Sequence, residues 1–201
     1  MEAAQVKKSY VLMERYAKNC GYEIAKTLDK AITALYGTFT NTVGSSTVNL
    51  ADSDIRNAIA YLDSADVPSE EAVFFFSPNV FWKQIQALDK FSLAVNSPVN
   101  DPTSKQPAAF LYGRPVKITN TIQYVSGTTG RWNALGVADA IHWATSPLGG
   151  GGSLGQYVGS MGIRVQSNYI PQYLSTVTTA DIAYGVILNR ATALVNILTP
   201  A

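Results

Sequence analysis

From Ala3 to Tyr36 the chain runs without a proline and with one glycine, Gly21. Proline ends or kinks a helix interior because it lacks a donor and clashes with the preceding turn. Met13, Ala17, Cys20, Ile24, Leu28, Ala31 and Leu35 recur at steps of four and three along this stretch. That spacing collects them on one helical face. Lys18, Lys26 and Lys30 fall largely off it. At 1.5 Å per residue such a helix is about 50 Å long. That length is large for 201 residues and calls for an elongated molecule. Gly37 sits at a C′-like position that would close the helix. Cys20, within the apolar stripe, reads as a small buried apolar residue.

Beyond the helix the signals shift from a period near 3.6 to a period of two. Thr38 to Asn49 is a polar, Ser- and Thr-rich link. A second helix is expected from Asp52 or Ser53 to Ser64, with carboxylates in its first turn and Ile55, Ala58, Ile59 and Leu62 on its buried side. Ala72–Phe76 is an apolar run of strand length. Ser77-Pro78 then starts a third helix, Ser77 as cap and Pro78 in the first turn, which buries Phe81, Ile85 and Leu88. Val116, Ile118 and Ile122 share one face with Lys117, Thr119 and Thr121 on the other, a half-buried strand pattern that Asn120 interrupts on the apolar side. Ala134–Trp143 is expected as a strand that runs into a short turn or helix, and further strands from Arg164 on with Tyr169–Thr178 as an alternating run, and at Tyr184–Leu188 and Ala193–Leu198, the last two as a closing pair. Ser97–Pro107 and Leu148–Gly155 read as loop insertions. Helices early and strands late give an α+β fold.

The residues that carry chemistry are scarce. His142 is the single histidine and Cys20 the single cysteine. A catalytic triad would have to use His142, which stands between the large apolar Ile141 and Trp143. A zinc site needs three or four ligands in a cluster, and a Cys20–His142 dyad needs the fold to join them. Asp52 and Asp54 have no later Gly and Glu of a calcium loop and are explained as helix caps. Glu70 and Glu71 lie in an evident surface turn after Val67-Pro68. Gly149–Gly155 is followed by Gln156 and Tyr157, where a phosphate loop needs Lys and Ser or Thr. No catalytic, cofactor-binding or metal-ligating residue is therefore assigned, and no cofactor is expected. Charged residues are 14% of the chain, against about 25% in an ordinary soluble domain. The net charge is +1 and no Lys/Arg run stands out, so charge does not announce a nucleic-acid binder. A surface with few charges and many Tyr and Trp suits burial against other subunits. No stretch reaches the roughly 18 apolar residues of a membrane span, and no signal peptide is expected after Met1.

Four stretches, in order, resemble the major capsid proteins of tailed phages, the Hong Kong ninety-seven type of fold. The first is the long helix ending in Ala25-Lys26-Thr27-Leu28-Asp29-Lys30-Ala31-Ile32, which is similar to the family's spine helix. The second runs from Val67-Pro68 through Phe74-Phe75-Phe76-Ser77-Pro78 to Phe81-Trp82. The third, Leu111-Tyr112-Gly113-Arg114-Pro115-Val116-Lys117-Ile118-Thr119-Asn120, resembles the family's G-x-P-V strand. The fourth is Thr179-Ala180-Asp181-Ile182-Ala183-Tyr184-Gly185-Val186, similar to the strand that returns from the peripheral to the axial domain.

The resemblance implies a peripheral domain of residues 1–45 and 157–182, with the spine helix and long strands. It implies an axial domain of residues 46–156 and 183–201. It also implies a structural coat protein, not an enzyme, that self-assembles as pentamers and hexamers into an icosahedral head around phage DNA. Scaffolding, portal or decoration proteins would be further partners, DNA contact would be non-specific, and no membrane would be involved. The place would be the virion, assembled in the host bacterial cytoplasm. An N-terminal arm and an extended hairpin, the E-loop, precede the spine helix in the family; no counterpart is expected here, because the helix starts next to Met1. A cargo-loading nanocompartment shares the fold. The competing readings are an α+β enzyme or ligand-binding domain with Gly149–Gly155 over a pocket, and a decoration or head-completion protein.

Overall fold

The computed structural model describes residues 2–85, 87–88, 110–125, 127, 129–146, 155–158, 163–173 and 175–200. The loop expected at Ser97–Pro107 and most of the Gly149–Gly155 loop lie outside the described residues. The chain divides into two compact units, one of residues 1–29 and 143–186, the other of residues 30–142 and 187–201. Mixed helix and strand make it an α+β fold.

The second unit holds the core. Its centre is a six-stranded sheet in the order β1-β11-β5-β2-β4-β3. The strands are β1 (Asn41–Gly44), β2 (Val73–Phe76), β3 (Phe110–Leu111), β4 (Arg114–Ile118), β5 (Gly130–Gly136) and β11 (Leu194–Pro200). The β1/β11 and β2/β4 pairs are parallel and the others antiparallel. Helix α2 (Asp52–Ser64) packs on β11, β1 and β5. Its apolar stripe places Ile55, Ala58 and Leu62 in the core. Alternation along β2 sends Phe74 and Phe76 to one side, fully buried and stacked at 5.5 Å between ring centres. Burying four large side chains such as Ile55, Leu62, Phe74 and Phe76 contributes about 6–12 kcal/mol, at roughly 1.5–3 kcal/mol each. The turn Pro78–Val80 (α3) passes into a π-turn, Phe81–Ile85, which buries Phe81 and Ile85.

The first unit contains α1 (Glu2–Ala34) as far as Asp29 and an antiparallel sheet of β7 (Gly155–Val158), β8 (Ile163–Ile170) and β9 (Ser175–Asp181). A short 3-10 turn, Pro171–Tyr173, joins β8 to β9. Strands β6 (Ile141–Ser146) and β10 (Ala183–Leu188) pair as a two-stranded sheet, and each strand runs from one unit into the other.

Several expectations need correction. Cys20 is exposed. Along its stripe Ile24 is half-buried and burial is reached at Leu28. The period identifies the apolar face of a helix; it does not guarantee that the same chain supplies the surface to cover it. Helix α1 ends at Ala34, and Gly37 lies in a 3-10 turn, Tyr36–Thr38, without a positive φ. Its lack of a side chain serves packing instead, because a Cβ there would stand 3.0 Å from the Trp132 indole nitrogen. The Ser77 side chain makes no cap bond; its neighbourhood is organised by Asn133. The closing strands β10 and β11 do not pair: β10 joins β6, and β11 lies between β1 and β5. The polar link Thr38–Asn49 hides β1, and the alternating run Tyr169–Thr178 is a hairpin broken at Pro171–Tyr173.

Candidate assembly surface

His142 is exposed on β6 and Cys20 is exposed on α1, in different units. Asp54 accepts the Ala51 N–H at 3.0 Å, which caps α2. Asp52 pairs with Arg56 one helical turn on, at 3.1 Å, and accepts the Tyr112 hydroxyl. Glu70 and Glu71 are exposed in the turn Ser69–Glu71. Among the described residues no group of three His, Cys, Asp or Glu could hold a metal ion.

Buried polar side chains instead build the frame of the second unit. Asn133, fully buried on β5, accepts the Ser77 N–H at 2.8 Å and donates to the Thr199 hydroxyl at 2.8 Å and the Ile197 carbonyl at 3.3 Å. One amide thus fixes the start of α3 against β5 and β11. Gln84 accepts the Leu50 N–H at 2.9 Å and donates to the Pro200 carbonyl at 3.4 Å. Arg114 donates to the carbonyl and hydroxyl of Ser69, fastening β4 to the turn before β2. A buried donor or acceptor left unmatched costs about 1–3 kcal/mol, so these bonds specify one arrangement. Asparagine and glutamine carry no periodic signal, and the sequence reading passed over all of them.

The first unit is different. Among the residues of this unit whose burial is described, Leu28 is the one buried hydrophobic. Tyr169 and Tyr173 stand 59% and 76% exposed on the β8–β9 hairpin, with Val177, Trp143 and Tyr184 also exposed. Within this sheet the polar order is good: Arg164 and Asp181 are cross-strand partners, and Arg164 Nε donates to Asp181 at 3.0 Å. That hydrogen bond, with the guanidinium charge, holds the Asp181 carboxyl below the ordinary carboxylate range. Backbone pairing and the Arg164–Asp181 ion pair hold β8 to β9, while Tyr169 and Tyr173 stay exposed. Tyr and Trp are enriched where one molecule covers another.

No family model matches the sequence, and no curated protein matches it. Solved structures do. A chain of Mycobacterium phage Che8 superposes with a TM-score of 0.69 at 16% identity, over 92% of this chain and 62% of that one. A chain from the capsid of cyanophage P-SCSP1u gives 0.61 at 10% identity, over 92% and 65%. One from the mature capsid of bacteriophage PhiM1 gives 0.60 at 12% identity, over 92% and 64%. The chain therefore has the fold of tailed-phage major capsid proteins, and it spans less than two thirds of the length of each of these chains.

Proposed function

We propose that this chain, which carries the tailed-phage major capsid fold, is a structural subunit of a phage head shell and not an enzyme. The observation that carries the reading is the superposition of nine tenths of the chain on phage capsid chains. The unit with α1 and the β7–β9 sheet serves as the peripheral domain, and the unit with the six-stranded sheet as the axial domain. Function is geometric. The cored unit is held rigid by its buried amides, while the other leaves its aromatic side chains for neighbours. Copies pack as pentamers and hexamers through many symmetric contacts. Portal, scaffolding or decoration proteins complete the head, which assembles in the bacterial cytoplasm and encloses DNA through non-specific contacts.

The test is light scattering on a size-exclusion column, with the parent chain and a Tyr169→Ser/Tyr173→Ser variant. Both side chains are exposed, so the isolated variant should melt with the parent. The parent should elute as capsomers or larger species and the variant should shift towards monomer. A parent that is monomeric at every concentration would sink the proposal.

A further inference from the structure

Part of α1 has no cover of its own. Every residue from Lys18 to Glu23 is exposed, more than one full turn, so no side of the helix there is covered. A helix in that position is marginal in water unless an apolar face is packed. Gly21 weakens it further, and nothing in this chain lies within 4 Å of where its Cβ would stand, so no neighbour within the chain calls for a glycine. The helix is fastened further on, where Leu28 and Thr33 are buried and the Thr33 hydroxyl donates to the Thr121 carbonyl at 3.0 Å.

This bare stretch carries an apolar seam. Ala3, Val6, Tyr10, Met13, Ala17, Cys20 and Ile24 follow at strictly alternating steps of three and four, three heptads without a break. A repeat of 3.5 residues keeps one stripe turned towards a companion helix. The alternation stops where the chain's own packing begins: the step from Ile24 to Leu28 is four again, and Leu28 is buried. The middle of the seam is Ala17 and Cys20, small side chains that suit an approaching helix better than a lipid surface, which favours Trp, Phe and Leu.

We propose that this seam is where α1 pairs antiparallel with α1 of a second copy, about a two-fold axis passing between Lys18 and Asn19. The inference rests on the shell reading and deepens it. Rings of five or six use head-to-tail contacts, whereas a two-fold pair is an isologous contact that joins one ring to the next. The antiparallel sense follows from the anchoring of each helix at its C-terminal end, because it sends the two anchored ends apart. It also opposes the two helix dipoles. In that register Met13 stands level with Ile24 of the other copy, and Ala17 with its Cys20. The distance between helix axes depends on the side chains at the contact, so small middle layers bring the helices close and give Gly21 its reason. Along the flanks Glu14 lies beside Gly21 and Tyr16 beside Glu23, so no like charges meet there.

The single thiol is the probe, since Cys20 lies on the seam and is exposed in the single chain. The full chain is reacted with a maleimide at rising protein concentration, with light scattering on the same samples. The labelling rate of Cys20 should fall as association sets in. An Asn19→Cys/Cys20→Ser variant carries its thiol at the next position, exposed and off the seam, and should keep the rate of the dilute chain. Cys20→Glu should leave the circular dichroism of the dilute chain unchanged, keep the rings and lose the larger species that join them. Cys20→Leu should reach those species at lower concentration. Associated samples in which Cys20 labels at the dilute rate would overturn the pairing and leave the shell subunit standing. Equal protection at both positions, or Cys20→Glu assemblies that match the parent's, would do the same. So would protection of the dilute chain's thiol by phosphatidylserine vesicles, which would assign the seam to a lipid surface. A parent that is monomeric at every concentration would overturn both readings.

Discussion

Asn133→Ala tests whether the buried amide network holds the cored unit together. Asn133, Ser77 and Thr199 are all fully buried. The substitution deletes the acceptor of the Ser77 N–H and the donor to the Thr199 hydroxyl, both at 2.8 Å, and the weaker bond to the Ile197 carbonyl. Two orphaned buried groups, each taken at the lower half of about 1–3 kcal/mol, give a loss of about 3 kcal/mol. At roughly 2–4 °C per kcal/mol for a chain of this size, the melting temperature should fall by about 6–12 °C. The control is Asn196→Ala. Asn196 is equally buried, yet it makes one long bond, to the Phe39 carbonyl at 3.3 Å, and its Oδ1 has no partner among the described residues. Its removal should cost clearly less. Calorimetry or thermal circular dichroism reads both variants. Equal losses, or a drop of less than about 2 °C for Asn133→Ala, would refute the network as the source of order.

Gly44 and Gly113 both have positive φ, +83° and +78°. A Cβ at Gly44 would meet the Leu198 carbonyl oxygen at 2.4 Å, whereas nothing lies within 4 Å of one at Gly113. Gly113→Ala should therefore cost only the left-handed strain of about 1–2 kcal/mol, and Gly44→Ala more, by displacing β1 from β11; a urea midpoint that falls equally in both would contradict this. The Arg164–Asp181 pair predicts a pH dependence. Asp181 has its pKa lowered from 3.8 in the folded chain, so the pair's contribution is present above that value and is lost as pH falls through the lower folded one. Asp181→Asn should remove this part of the acid loss and speed amide exchange in β8 and β9 at neutral pH; exchange unchanged at neutral pH would argue against the pair.

The readable parts of the fold were those where period and burial agree. Ile55, Ala58 and Leu62 were legible because one helical face meets one sheet. Phe74 and Phe76 were legible as a short apolar run before Pro78. Strand β1 was not, since Asn41, Thr42 and Gly44 are polar or small and only pairing with β11 makes them a strand. The partners of β10 and β11 are set by contacts far apart in sequence, and no local pattern encodes those. Cys20 failed for a different reason: a stripe can be apolar for the sake of another molecule. The family resemblance lay in the order of four weak stretches, and the superposition on phage capsid chains carries it at the level of fold.

The most direct measurement is electron microscopy of the heaviest assemblies the purified chain forms, with averaging that reveals their symmetry. A shell subunit predicts pentameric and hexameric clusters or closed shells, into whose density the six-stranded unit and the α1 unit fit as repeating pieces. Only monomers or dimers, at every concentration and salt tested, would contradict it.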